Sequence, residues 1–266
     1  MNGIENESFI RLVAFAGVFV VMALLEFALP RKKRSEPRLT RWFANFGLVV
    51  VDALVLRALF PVLAVGVAFW AQAQGYGLFS MLAWPTWIEI VLTVILLDLA
   101  IYWQHVASHK IPLLWQVHRV HHADRDLDAS SGLRFHPVEI ALSMVYKMAV
   151  VILLGAPAAG VFVFEVLLNG SAMFNHANFR LPLGLDKIIR SVLVTPDMHR
   201  VHHSIHRREA DTNYGFALSV WDRMFGSYTD QPENGHDGMV LGLADQQTSK
   251  PSQLIWCLTF PFRRKG

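Results

Sequence analysis

The stretch Asp98-Leu-Ala-Ile-Tyr-Trp-Gln-His105-Val-Ala-Ser-His109-Lys-Ile-Pro-Leu-Leu-Trp-Gln-Val-His118-Arg-Val-His121-His122 runs from the end of an apolar segment straight into two histidine blocks. Side chains at i, i+3 and i+4 share one face of a helix, so HxxxH and HxxHH each aim two or three imidazoles at one point. A third block, His199-Arg-Val-His202-His203, repeats the second one far downstream. Eight of the twelve histidines fall in these blocks. Imidazoles clustered at helical spacing form a metal-ligand pattern.

Composition places that pattern in a membrane. The 266 residues are 53% hydrophobic and only 17% charged, with a mean hydropathy of +0.35. Several apolar runs are long enough to cross a bilayer. The first, Phe9 to Leu29, is interrupted only near its ends by Arg11 and Glu26; it lacks a small-residue cleavage site and reads as a retained span, not a signal peptide. The second, Phe43 to Trp70, is overlong, and Pro61 predicts a kink in it. Asp52 and Arg57 within it are expected to face protein or water, not lipid. The third runs from Trp87 to Trp103. The fourth, Val138 to Leu168, holds Gly155-Ala-Pro-Ala-Ala-Gly160 at its middle, a turn signal that predicts a helical hairpin. The tryptophans are expected to form an interfacial belt.

Charge bias sets the orientation. Arg31, Lys32, Lys33, Arg34, Arg38 and Arg41 crowd one loop against Glu36, whereas the opposite loop, Gln74 to Trp84, carries no charge. By the positive-inside rule the basic loop is cytoplasmic and the N-terminus is outside. Two further crossings bring the histidine blocks to the cytoplasmic surface. The net charge of +3 fits an anionic leaflet, and no nucleic-acid motif accompanies it. The expected architecture is therefore an all-α integral membrane protein with about four membrane-entering segments and a cytoplasmic histidine-rich cap. It divides into N-terminal helices and basic loop at 1–86, a domain at 87–230 that carries the histidine blocks, and a polar tail at 231–266.

His105, His109, His118, His121, His122, His199, His202 and His203 are too many ligands for one ion, so two metals are expected. Iron, zinc, copper and nickel all suit neutral imidazole. The single cysteine, Cys257, rules out a thiolate cluster. The scarcity of carboxylates within the blocks sets the site apart from the Glu-rich di-iron centres of soluble four-helix bundles.

The order HxxxH, HxxHH, His136-Pro137, then Asn175-His176-Ala177-Asn178, then HxxHH resembles the fatty acid hydroxylase and sterol desaturase superfamily of membrane di-iron oxidoreductases. The segment Asp211-Thr-Asn-Tyr-Gly-Phe-Ala-Leu-Ser-Val-Trp-Asp-Arg-Met-Phe-Gly-Ser-Tyr228 is similar to the superfamily's closing segment, with Ser227 where Thr is frequent. The resemblance runs from about Arg41 to Tyr228. It implies two non-haem irons, O2 as co-substrate, and hydroxylation or desaturation of a C–H bond of a lipid, whether fatty acyl, sterol or related isoprenoid. It also adds His176 to the metal-ligand set, and His136 as a ligand or near-site residue; the alternative for His136 is a cap on a helix that Pro137 begins.

Dioxygen chemistry of that kind needs redox-active metals, which excludes zinc, and electrons from a separate transfer protein, since no flavin, haem or ferredoxin motif is visible. The lipid substrate would enter sideways from the bilayer. A zinc-dependent membrane hydrolase is the competing reading, disfavoured because the blocks contain neither an acidic bridge nor a general base; a non-catalytic metal-binding protein is the third. Asp98, Tyr102, His105 and His109 form one helical stripe, so Asp98 is expected to orient a ligand histidine and is the candidate catalytic carboxylate. His206 and His236 are expected to be solvated, and Asp222 to pair with an arginine in the cap.

Overall fold

A computed structural model describes residues 6–82 and 84–263, which are helical with no β-strand. Helices α1 (Glu7–Ala28), α2 (Arg38–Leu59), α3 (Ala64–Ala73) and α4 (Leu78–Leu82) precede the long α5 (Thr86–Lys110) and the histidine-bearing α6 (Pro112–His122). Then follow a 3-10 turn (Ala129–Leu133), α7 (Pro137–Leu154), α8 (Ala158–His176), α9 (Leu183–Ile189) and α10 (Pro196–His202). Five stretches are long and apolar enough to cross a membrane: Glu7–Ala28, Arg38–Leu82, Thr86–Lys110, Pro137–Leu154 and Ala158–His176. The hairpin expected in the fourth apolar region supplies the last two.

Proline and glycine punctuate the chain as local chemistry requires. His136 caps α7 and Pro137 occupies its first turn, where the missing N–H costs nothing. Gly155, at φ +65, closes the helix in the left-handed region, and Pro157 opens α8. A side chain at Gly155 would meet the Tyr76 carbonyl at 2.4 Å, so the hairpin tip fits closely against the turn after α3. Pro61 does more than kink its region. α2 stops at Leu59 and a separate ten-residue helix, α3, resumes at Ala64, because the ring removes a helical donor and the preceding residue avoids αR.

The elements that bear the site share one end of the bundle. Arg41, at the start of α2, is fully buried between Asp124 and Asp128, with Nη2 2.7 Å from Asp124. Glu26, near the end of α1, accepts from Arg34 and Arg38 and from the backbone N–H of Ala129 and Asn178. The basic loop therefore lies on the same side as the histidine blocks, its cations anchored by buried carboxylates. Such pairs hold geometry more than they add stability: breaking one strands a charge. Arg134 links α6, α2 and the C-terminal region through Val120, Asn45 and Pro251. The final segment is packed too, with Trp256, Cys257 and Phe260 buried against Leu48 and Val120.

Asp52 is buried as expected, whereas Arg57 is exposed near the end of α2, where its long stem can carry the charge toward water. The tryptophans divide: Trp70, Trp84 and Trp87 are exposed near helix ends and Trp103 is exposed two turns inside α5, while Trp221 and Trp256 are core residues.

Candidate metal centre

Pro112 bends the chain so that the first two blocks meet. Ile111, before it, is held in the β region at φ −94, ψ 116, which ends α5 and starts α6 at once. The four histidine-bearing elements, α5, α6, α8 and the end of α10, converge in two nests. One holds His105, His109, His118, His122 and His202, the other His121, His176, His199 and His203. Within each nest the ligand atoms all lie within 4.8 Å of one another. Each HxxHH block straddles both: His118 and His122 face one nest with His121 turned to the other, whereas His199 and His203 face the second nest and His202 the first. Positions i and i+4 are nearly eclipsed on a helix and i+3 lies to one side, so one five-residue motif serves two sites.

Acceptors around the nests fix the imidazole tautomers. The Nδ1 of His105 donates to the Tyr214 carbonyl (2.8 Å), that of His121 to Arg134 (3.1 Å), that of His176 to Ala172 (2.8 Å) and that of His202 to Thr212 (2.7 Å). His118 donates to the Glu139 carboxylate at 2.6 Å and His109 to Asp211 at 3.3 Å. With its proton on Nδ1, a neutral imidazole offers Nε2 as a lone pair. The Nε2 atoms of His121 and His176 face each other at 3.0 Å, and those of His176 and His199 at 3.1 Å. In the other nest His109 and His122 approach to 3.1 Å through the same atoms. The tautomers of His121 and His176 are both fixed, so their facing lone pairs repel unless a cation lies between them. Imidazole nitrogens about 2.0–2.1 Å from one ion stand about 3.0–3.4 Å apart, so the nests fit metal ions. Nδ1–H bonds to carbonyls and carboxylates are the usual outer support of ligand histidines.

Burial, reinforced by the surrounding imidazoles, keeps His121, His122, His199 and His203 well below the ordinary histidine range. Burial also holds His202 at about 3. These rings stay neutral, the state a metal requires. Phe135 stacks on His121 with ring centroids 4.6 Å apart, closing that nest on one side.

His136 stands outside both nests. Its Nδ1 accepts from the Val138 N–H and its Nε2 donates to the Leu258 carbonyl, each at 3.2 Å, so both ring nitrogens are committed. Asp98 reaches no histidine. It accepts from the N–H groups of Ala217 and Leu218 and from the Trp221 indole, and so acts at one remove on the segment whose Tyr214 carbonyl holds His105. Asp222 pairs with no arginine among the described residues; it accepts from Tyr214 N, Gly215 N and the Ser227 hydroxyl. His206 is exposed as expected, but His236 is buried, with Nε2 3.8 Å from Asp197. Sequence reasoning missed Glu139 and Asp211. An acid in the first turn of an apolar helix was the available signal for Glu139.

A cavity of about 400 Å³ lies among α1, α2, α5, α7 and α8, and its wall includes Phe135, Glu139 and Ala172, which contact His121, His118 and His176 of the nests. Apolar walls with a few polar groups are the usual make-up of a small-molecule site, and the volume is ordinary for one.

Fold and site together define a multi-pass membrane metalloprotein of the histidine-rich kind. Residues 90–227 match the model of the fatty acid hydroxylase family, and the chain belongs to that family. It is 25% identical over 261 residues to the ornithine lipid hydroxylase OlsE of Rhizobium tropici, covering 96% of this chain and 76% of that one. It is 30% identical over 174 residues to human (Homo sapiens) alkylglycerol monooxygenase, 64% of this chain but only 36% of that enzyme. With the lathosterol oxidase of Rattus norvegicus it shares 28% identity over 155 residues, 53% of this chain and 46% of that one. The match thus spans most of the first relative and about a third to a half of the others. No solved structure gives a significant match.

Proposed function

We propose that this protein is an O2-dependent lipid hydroxylase or desaturase with two non-haem irons, one in each nest. The observation that carries the reading is the pair of all-imidazole nests, five and four histidines strong, beside a largely apolar cavity. His105, His109, His118, His122 and His202 would hold one iron, and His121, His176, His199 and His203 the other. When bound, the iron pair supplies dioxygen activation and oxidation of an unactivated C–H bond. The chain's own groups do the rest. Glu139, Asp211 and the four carbonyls orient the imidazoles. Phe135 screens one nest from the cavity wall, and the apolar walls hold the lipid while excluding water.

The nests sit at the end of the bundle that carries the basic loop, which supports a cytoplasmic site. Electrons would come from a separate protein. Lys110, Arg207 and Arg208 are exposed beside His109, and Arg207 donates to the His109 carbonyl at 2.7 Å. These cations suit an acidic donor. Among the described residues no carboxylate lies within either nest to bridge the ions or act as general base, which counts against the zinc hydrolase. Lipid profiling of cells with and without the gene tests the reading. We expect lipids that gain one oxygen, or lose two hydrogens, only when the protein and O2 are both present. Unchanged lipid profiles together with release of a lipid hydrolysis product would overturn it.

A further inference from the structure

The charges around the cavity do not balance against one another. Arg11 and Lys147 line it, yet both are committed: Lys147 Nζ lies 2.6 Å from Glu165 Oε1, and Arg11 reaches Glu165 Oε2 at 2.7 Å and Glu7 at 2.9 Å. Asp52 on α2 and Glu139 on α7 also line the cavity and are 8% and 7% exposed. Asp52 Oδ1 is buried without a hydrogen-bond partner among the described residues. Glu139 spends Oε1 on His118, while its Oε2 is likewise buried and unpartnered. A carboxylate buried without a donor is costly, and one inside a membrane span is costlier still. Two such oxygens belong to residues that line one cavity, and among the described residues that line it no cation is free to meet them.

We propose that this cavity is a subsite for the amino group of a lipid, with Asp52 and the free oxygen of Glu139 as its acceptors. The inference rests on the reading of the protein as a lipid oxygenase and names the substrate class, an amine-bearing lipid. An ammonium brings both the charge that offsets the carboxylates and several donors on one atom. A hydroxyl brings one donor and no charge, and a fatty carboxylate would add a third negative group. Glu139 joins the subsite to the His118 nest, one oxygen on each, so the amino group binds close to the metal centre. Gln104 and Ser143, hydrogen-bonded to each other at 3.2 Å, complete the polar part of the wall.

The test is equilibrium binding of radiolabelled dodecylamine, dodecanol and dodecanoate to the iron-loaded full-length protein in nanodiscs at pH 7, each corrected with empty nanodiscs. A charge-assisted hydrogen bond corresponds to about a tenfold or larger difference in affinity. The expected order is amine about tenfold or more ahead of alcohol, with dodecanoate weakest. Asp52→Asn should abolish the amine's advantage while leaving dodecanol binding unchanged. Equal binding of amine and alcohol by the unmodified protein would mean that the two acids are merely hydrated, and would overturn the proposal, as would an amine preference that survives Asp52→Asn. If that variant does not fold, the ranking by the unmodified protein decides alone. A protein that binds iron and consumes O2 but prefers the alcohol refutes only this inference; one that prefers the amine but takes up no iron refutes only the oxygenase reading.

Discussion

Replacing His136 by alanine separates a capping residue from a ligand. The imidazole accepts from the Val138 N–H at the start of α7 and donates to the Leu258 carbonyl. Loss of a helix cap costs about 1 kcal/mol, and a net hydrogen bond contributes about 1 kcal/mol more. A change of about 2 kcal/mol lowers Tm by about 4–8 °C in a chain of roughly this size. His136→Ala should therefore melt several degrees early yet keep its full metal content, and His136→Asn, which can still cap, should recover part of the loss. His176→Ala should do the opposite. It removes one of the four imidazoles of the second nest, so about half of the bound iron should be lost on washing. Far-UV circular dichroism melts and metal analysis on the same preparations compare the two. If His136→Ala loses iron while its melting curve is unchanged, the assignment of that ring to a cap is wrong.

Gly132 lies so close to α8 that a Cβ there would sit 2.3 Å from the Ala172 carbonyl oxygen, the acceptor for His176 Nδ1; Gly132→Ala should displace that carbonyl and weaken iron retention, checked by chelator competition. Asp98→Ala should leave two backbone N–H groups and the Trp221 indole unsatisfied, destabilising the protein by about 3 kcal/mol or more and loosening iron held with His105; thermal melts and metal content report both, and a silent variant removes Asp98 from the supporting frame. Metal-free protein should be most stable above about pH 6.5. His121, His122, His199, His202 and His203 bind protons less readily folded than unfolded, so stability falls as pH drops below that value and keeps falling toward about 3, where His202 titrates; unfolding midpoints between pH 4 and 8 test the sign, and iron should flatten the curve.

Most of the fold was legible because its signals are local. Apolar runs of spanning length, Pro137, Gly155 and Pro157 at helix ends, and the histidine spacings all act within a turn or two. The spacing shows that His118, His121 and His122 share a face, but not that His121 is turned to a different ion from its neighbours. That depends on where α8 and α10 dock. The hydrogen bonds that fix the tautomers are likewise invisible, because four of the acceptors are backbone carbonyls that any residue could supply. Asp98 was rightly marked as a costly intramembrane acid, but its stripe with His105 suggested a direct contact. The closing segment intervenes, and Asp98 spends its oxygens on Ala217, Leu218 and Trp221. His236 looked like a loop residue, and only the packing of Arg31, Asp197 and Asp237 around it explains its burial.

The central claim is that nine histidines hold two irons. Metal analysis of the full-length protein, purified from cells grown with ample iron, tests it most directly. About two irons per chain are expected, falling to about one in His176→Ala, which leaves three imidazoles in its nest, with the fold intact. A single metal per chain, or zinc in place of iron under those conditions, would contradict it.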